Sequence, residues 1–97
     1  MFAIMRAALL LAVCGLALAQ TPDPAYEPLA RAYEALNAKD YQNAVGDFQK
    51  AILAAPERAS IRKDLAYLYL RIGENDLARV QFREAMRLAP DDVPVAM

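Results

Sequence analysis

Few residues in this chain are of the types that carry out reactions, and their spacing limits the chemistry open to them. The nearest carboxylate pairs are Asp91-Asp92 and Glu74 with Asp76. Paired acids can act as general acid and base, but both pairs fall where helices are expected to begin or end, and an acid there is expected to serve as a cap. The 97 residues include no histidine. That excludes Ser-His-Asp and Cys-His catalysis, imidazole metal sites and histidine-based pH switching together. Gly15, Gly46 and Gly73 are the only glycines, too scattered for a phosphate-cradling loop. No catalytic residue, metal or cofactor is therefore expected.

The residue types suit recognition better. Lys63, Tyr67, Leu70 and Arg71 step by four, three and one. On a helix they share a face, distinct from the one that carries Leu65, Leu68 and Tyr69. Tyrosine brings a large amphipathic contact area with few rotors, and arginine brings planar donors, so both are good anchors for a peptide or protein partner. The plainer alternative is that Tyr67 and Leu70 pack on a neighbouring element while the cations stay solvated.

Helices are the only elements the pattern supports. Residues 20–27 hold Pro22 and Pro24 without apolar periodicity and read as a linker. Pro28 suits a first helical turn, and the first helix is predicted from there through Leu29, Ala32, Tyr33 and Leu36 to about Ala38. Asp40 is placed to cap a second helix, whose apolar residues are Tyr41, Ala44, Val45, Phe48, Ala51, Ile52 and Ala55, at spacings of three and four. Pro56 stops it. Ser60 is the expected cap of a third helix with the stripe Ile61, Leu65, Leu68, Tyr69 and Ile72. Asn75 is the expected cap of a fourth, from Asp76 to about Leu88.

These helices repeat in pairs. Ala44, Phe48, Ala51 and Pro56 recur as Ala78, Phe82, Ala85 and Pro90, each at the same offset of 34 in the numbering. A fixed period of that size marks stacked units that bury their apolar faces on one another. Residues 59–92 carry the fuller copy: Leu65-Ala66, Tyr69, Gly73, Ala78, Phe82, Ala85 and Pro90. This pattern resembles the tetratricopeptide repeat family, which implies an all-α array of antiparallel helical hairpins; Arg62 is a departure, standing where the family often has tryptophan. Small residues at 66, 78 and 85 let two backbones meet, while Tyr69 and Phe82 fill the space between them. Gly73 can take the left-handed conformation that ends a helix.

The first unit, residues 28–58, departs from the pattern. In the 34-residue frame Arg31 stands where leucine is usual, Ala35 where Tyr69 sits, and Lys39 where Gly73 sits. Yet Leu29-Ala30-x-x-Tyr33 copies Leu65-Ala66-x-x-Tyr69 at an offset of 36. Either the first hairpin turn is two residues longer, or Ala32 and Ala35 make the close contact. Tyr33 is a seam residue in the first case and a groove residue in the second.

The resemblance implies that the first helix of each hairpin lines a concave groove for extended peptides. Lys63, Tyr67, Leu70 and Arg71 are then the second hairpin's share of it, and Tyr33, Leu36 and Asn37 the first's. Arg79, Arg83 and Arg87 make a separate basic line, four residues apart. Such a line can bind phosphates, as in RNA recognition by helical repeats. Val45, Gln49 and Leu53 stand at the matching upstream places, so the line does not repeat, and a solvated or unit-facing surface is the expected reading rather than a nucleic-acid site.

The remaining segments concern export and chain extent. Met1 to Arg6 carries one positive charge, Ala7 to Ala19 none, and Ala17-Leu18-Ala19 is a small-x-small cleavage site. Residues 1–19 thus read as a secretory signal peptide, and a periplasmic or secreted protein is expected. The apolar run of about 13 residues is short of the 18–20 that span a bilayer. Cys14 is the only cysteine; a lipid anchor through it is the alternative to its removal with the leader. After Gln20 there are 10 basic residues (the chain's 11 less Arg6) and 12 acidic ones, a net of −2, which favours no polyanion. Residues 93–97 form a tail, and Asp92 with Pro94 resembles the start of a further helix. Two units are few for such an array. The chain is expected to be the N-terminal part of a longer repeat protein, or to have its open end covered by a second copy or a partner.

Overall fold

In a computed structural model, which describes residues 22–91, four helices follow one another: α1 (Tyr26–Asn37), α2 (Tyr41–Ala54), α3 (Ala59–Arg71) and α4 (Asn75–Leu88). Among the described residues there is no strand. Each helix packs on the next in sequence, so α1–α2 and α3–α4 are antiparallel hairpins stacked through α2 and α3. The expected leader, Cys14 and the tail 93–97 lie outside the described residues.

The boundaries follow from local chemistry. α1 begins two residues ahead of Pro28, at Tyr26, and the proline occupies its first turn, where no N–H partner is needed. Asp23 accepts from the Ala25 N–H at 3.0 Å ahead of this turn. Asp40 caps α2 as expected: its carboxylate accepts from the Asn43 N–H at 3.4 Å and from Asn43 Nδ2 at 2.6 Å. The expected caps Ser60 and Asn75 are not caps. Both lie inside their helices, and the cap positions are taken by Arg58 and Glu74, neither with a side-chain cap bond. These helices start from backbone geometry and tertiary packing instead. Ile72, expected in the buried stripe of α3, is the exposed residue that ends that helix.

The two hairpins share one backbone pattern at the constant offset of 34 in the numbering. In the first turn the Asp40 N–H donates to the Ala35 carbonyl at 2.8 Å, and in the second the Glu74 N–H donates to the Tyr69 carbonyl at 2.8 Å. Lys39 has φ 60° and Gly73 φ 83°, so both turns pass through the left-handed region. The ends before the prolines agree as well, Ala55 at φ −142°, ψ 71° and Ala89 at φ −147°, ψ 81°. The first turn is therefore not two residues longer. Ala32, fully buried, makes the close approach, and Ala35 packs against the core beside it. A lysine held left-handed is the cost of keeping the frame.

The core is one continuous cluster. Ala44, Ala51, Ala66, Ala78 and Ala85 are fully buried in the seams, with Phe48, Leu65, Ile61, Leu68, Tyr69 and Phe82 as the larger fillers. Ala25 ahead of α1 is also fully buried, and Arg58 holds Asp23 through two hydrogen bonds of 2.9 and 3.0 Å. That ion pair pins the entry of the first hairpin to the start of the second.

Candidate peptide-binding groove

An open cleft lies at the junction of the hairpins, lined by Tyr33, Leu36, Phe48, Asp64, Tyr67, Leu68 and Arg71. Its floor is apolar because Phe48 and Leu68 belong to the core. Its walls are tyrosines in matching poses. Tyr33 meets Phe48 edge-on with centroids 5.4 Å apart and planes at 86°, and Tyr67 meets Phe82 at 5.0 Å and 85°. Edge contact steers the positive ring rim onto the negative face and fixes each ring's direction. The tyrosines remain 42% and 46% exposed, enough to offer a contact surface while half their area is held.

The hydroxyl of Tyr33 donates to Asp64 Oδ2 across the hairpin junction. Burial first, and then this carboxylate, push the Tyr33 pKa up to about 12 from its ordinary 10. An ionised phenolate would lose hydration and face a like charge, so the neutral donor persists through the physiological range. Gln49 Nε2 donates to Tyr69 Oη at 3.3 Å on the other side of α3. These two bonds lock α3 onto the first hairpin from both edges.

Of the residues expected to bind a partner, the cleft brings together Tyr33, Leu36, Tyr67 and Arg71. Lys63 and Asn37 do not line it, and Leu70 lines a separate recess at the far end with Asn75, Ala78, Arg79, Phe82, Arg83 and Met86. Tyr33 belongs to the groove and not to the seam, which the shared 34-residue frame decides. Sequence reasoning missed Phe48, Asp64 and Leu68 as lining residues. Asp64 had a findable signal, since it lies three positions before Tyr67 and four before Leu68 and so shares their side of α3.

The expected basic line is broken up by local pairing. Arg79 lies 3.4 Å from Asp76, and Arg87 lies 2.9 Å from Glu84, each on its own helix. The Arg87 guanidinium holds the Glu84 carboxyl below its ordinary pKa. Arg62, in place of an aromatic, donates from Nη1 to Gln81 Oε1 at 3.3 Å, and its buried Nε lacks a partner among the described residues. Among those residues no three carboxylate or cysteine groups gather as around a metal ion, and no helix is long and apolar enough to cross a membrane.

A tetratricopeptide repeat family model matches residues 35–97, covering α2, α3, α4 and the turns between them. No curated protein matches the chain. Repeats of this family generally serve as scaffolds that bind protein partners. With the matched span exceeding half the sequence, two equivalent hairpins in register and the alanine, phenylalanine and proline positions equivalent in both, the chain belongs to the tetratricopeptide repeat family.

Proposed function

We propose that this chain is a non-catalytic scaffold that holds an extended peptide or protein segment in the cleft between its hairpins, in an exported, periplasmic or envelope setting. The observation that carries the reading is the pair of half-exposed tyrosines, Tyr33 and Tyr67, standing edge-on over buried phenylalanines at the mouth of one apolar cleft. Rigid aromatic walls around a small apolar floor, with Arg71 at the rim, are what anchor recognition uses. The hydroxyl–carboxylate bond between Tyr33 and Asp64 keeps one wall in place before any ligand arrives, which lowers the ordering cost of binding. Lys63, one turn before Tyr67 on α3, does not line the cleft but belongs to the face proposed to meet the partner.

The test is selection of extended peptides from a displayed library against the full chain, followed by Lys63→Ala combined with Tyr67→Ala. Affinity should fall at least tenfold while helicity by circular dichroism is largely kept. Unchanged affinity sinks the groove. Export is tested separately by fractionating cells that express the tagged chain. Release of a shortened chain into the periplasm or medium supports cleavage before Gln20, and membrane retention abolished by Cys14→Ser supports the lipid anchor. The arginine line supports a nucleic-acid reading poorly, because two of its three members are paired on their own helix; absence of RNA binding at low salt, where phosphate contacts are strongest, would close it.

A further inference from the structure

The two hairpins contribute unequally to the cleft. Tyr33 and Tyr67 are equivalent at the 34-residue step, but Asp64 and Arg71 have Ala30 and Asn37 as their counterparts on α1. Both charges of the cleft therefore come from α3. Asp64, Tyr67 and Arg71 stand at i, i+3 and i+7, on one side of that helix. At ~1.5 Å of rise per residue the carboxylate and the guanidinium are rooted ~10 Å apart, with Tyr67 ~4.5 Å from the first and ~6 Å from the second. Along α3 the cleft is thus negative at one end, positive at the other and apolar between.

Both ends can take a further partner. Asp64 Oδ2 accepts the Tyr33 hydroxyl, and a carboxylate has about four acceptor sites, which leaves capacity for a second donor. Arg71 is exposed and pairs with no carboxylate among the described residues. Between them the cleft holds about 160 Å³, close to the ~150 Å³ of an apolar cavity that takes one benzene ring. One side chain of leucine or phenylalanine size fits that space, whereas a whole helix, ~10 Å across, does not. In an extended peptide, side chains two apart point the same way and are rooted ~6.7 Å from one another. A residue anchored beside Tyr67 therefore brings its neighbours at i−2 and i+2 toward Asp64 and Arg71.

We infer that the peptide held in the cleft carries one large apolar side chain with a base two residues to one side and an acid two residues to the other, the base meeting Asp64 and the acid Arg71. The inference rests on the groove reading and adds the charge pattern of its ligand. Each contact is a charge-assisted hydrogen bond. Either chain direction satisfies both ends, so the pattern and not its order is read. The chain does not supply such a segment from outside the described residues: residues 1–21 hold one base and no acid, and 92–97 one acid and no base. The rest is folded into helices and their turns. The occupant is a segment of another protein.

The experiment uses the full chain and short labelled peptides with blocked ends and a central leucine, read by fluorescence anisotropy. The mixed peptide, with lysine at i−2 and glutamate at i+2, should bind at least fivefold more tightly than peptides with two lysines or two glutamates. Arg71→Glu, at an exposed position, should reorder the three so that the two-lysine peptide binds best. Asp64→Asn keeps an acceptor for the Tyr33 hydroxyl and should make lysine and glutamine at i−2 equivalent. A peptide that ends at the leucine, with a free carboxylate and no acidic side chain, should bind more weakly than the mixed one, because its carboxylate falls short of Arg71. Equal binding of the three peptides, tighter binding of the leucine-ended one, or indifference to Arg71→Glu overturns the proposal. If the peptides bind equally and Tyr67→Ala abolishes binding of them all, this inference fails while the groove reading stands. If none of them binds, both fail.

Discussion

Phe48 and Phe82 hold the same place in their hairpins, each edge-on to a tyrosine of the preceding helix, yet they live in different surroundings. Phe48 is roofed by α3 and fully buried, whereas Phe82 looks into an open recess. The same contrast appears one helix earlier. Leu65, with α2 on one side and α4 on the other, is fully buried. Arg31, its counterpart on α1, has only α2 beside it among the described elements and is exposed, 3.8 Å from Glu27. Two hairpins with one backbone thus carry different residues wherever their neighbours differ. Residues facing into a hairpin repeat, because each seam must close on itself. Residues facing along the stack follow what lies next to them, which is why the outer side of α1 is charged and the far side of α4 mixes arginine with asparagine and methionine.

The largest effect expected from this contrast is on stability. Phe48→Ala should cost ~3–5 kcal/mol, because the ring is enclosed on all sides and its loss leaves a cavity between the hairpins. Phe82→Ala should cost less, since no described residue roofs its ring on the recess side, where it is 6% exposed against 0% for Phe48. Chemical denaturation of the two variants measures the difference, and equal losses would mean the far end is covered as tightly as the junction.

A smaller effect is expected at the turns. Gly73→Lys should destabilise by ~1 kcal/mol and Lys39→Gly should stabilise by a similar amount, because both positions are left-handed. A Cβ on Gly73 meets nothing within 4 Å, so the cost there is conformational and not steric. If the two changes do not oppose one another, the turns are not equivalent.

The smallest effect is in titration. Tyr33, whose folded pKa lies above its unfolded value, contributes stability that is complete below pH 10 and is lost as pH rises to about 12. Tyrosine absorbance should show one residue ionising late, and Asp64→Asn should move it only part of the way back, because burial is the larger cause. The same titration in Tyr33→Phe should lose the late step. On the acid side, Arg58 and the Ala25 N–H hold Asp23 below the ordinary carboxylate value. The stability from that pair is present above about pH 4 and disappears as pH falls through the lowered value. Melts of Arg58→Met should lose this part of the acid dependence.

Much of this was readable from residues alone, for specific reasons. Alanine at 44, 51, 78 and 85 with phenylalanine at 48 and 82 leaves little choice but paired close-packed helices, and Asp40 announces a helix start because its side chain is short enough to reach the next turn. The register of α1 was not readable. Lys39 is not a residue type that signals a left-handed turn, and the local copy Leu29-Ala30-x-x-Tyr33 pointed to a second frame. Ser60 and Asn75 gave false cap signals, because a good capping residue one or two positions past the true cap looks the same in sequence as one at the cap itself. The cleft was half legible: spacing placed Tyr67 and Arg71 on one face of α3, but it could not tell which of their neighbours faced the preceding hairpin.

The sequence by itself determined the period, the number of helices and which side chains close each hairpin, since these depend on contacts a few residues apart or repeated at a constant step. Only the tertiary structure decided where Tyr33 points, that its hydroxyl reaches Asp64, that Asp23 holds Arg58, and which exposed residues surround a cleft and which an open end. Those facts depend on how one hairpin is laid against another. The stacking is governed by the summed shape of an interface, to which no single spacing in the chain corresponds.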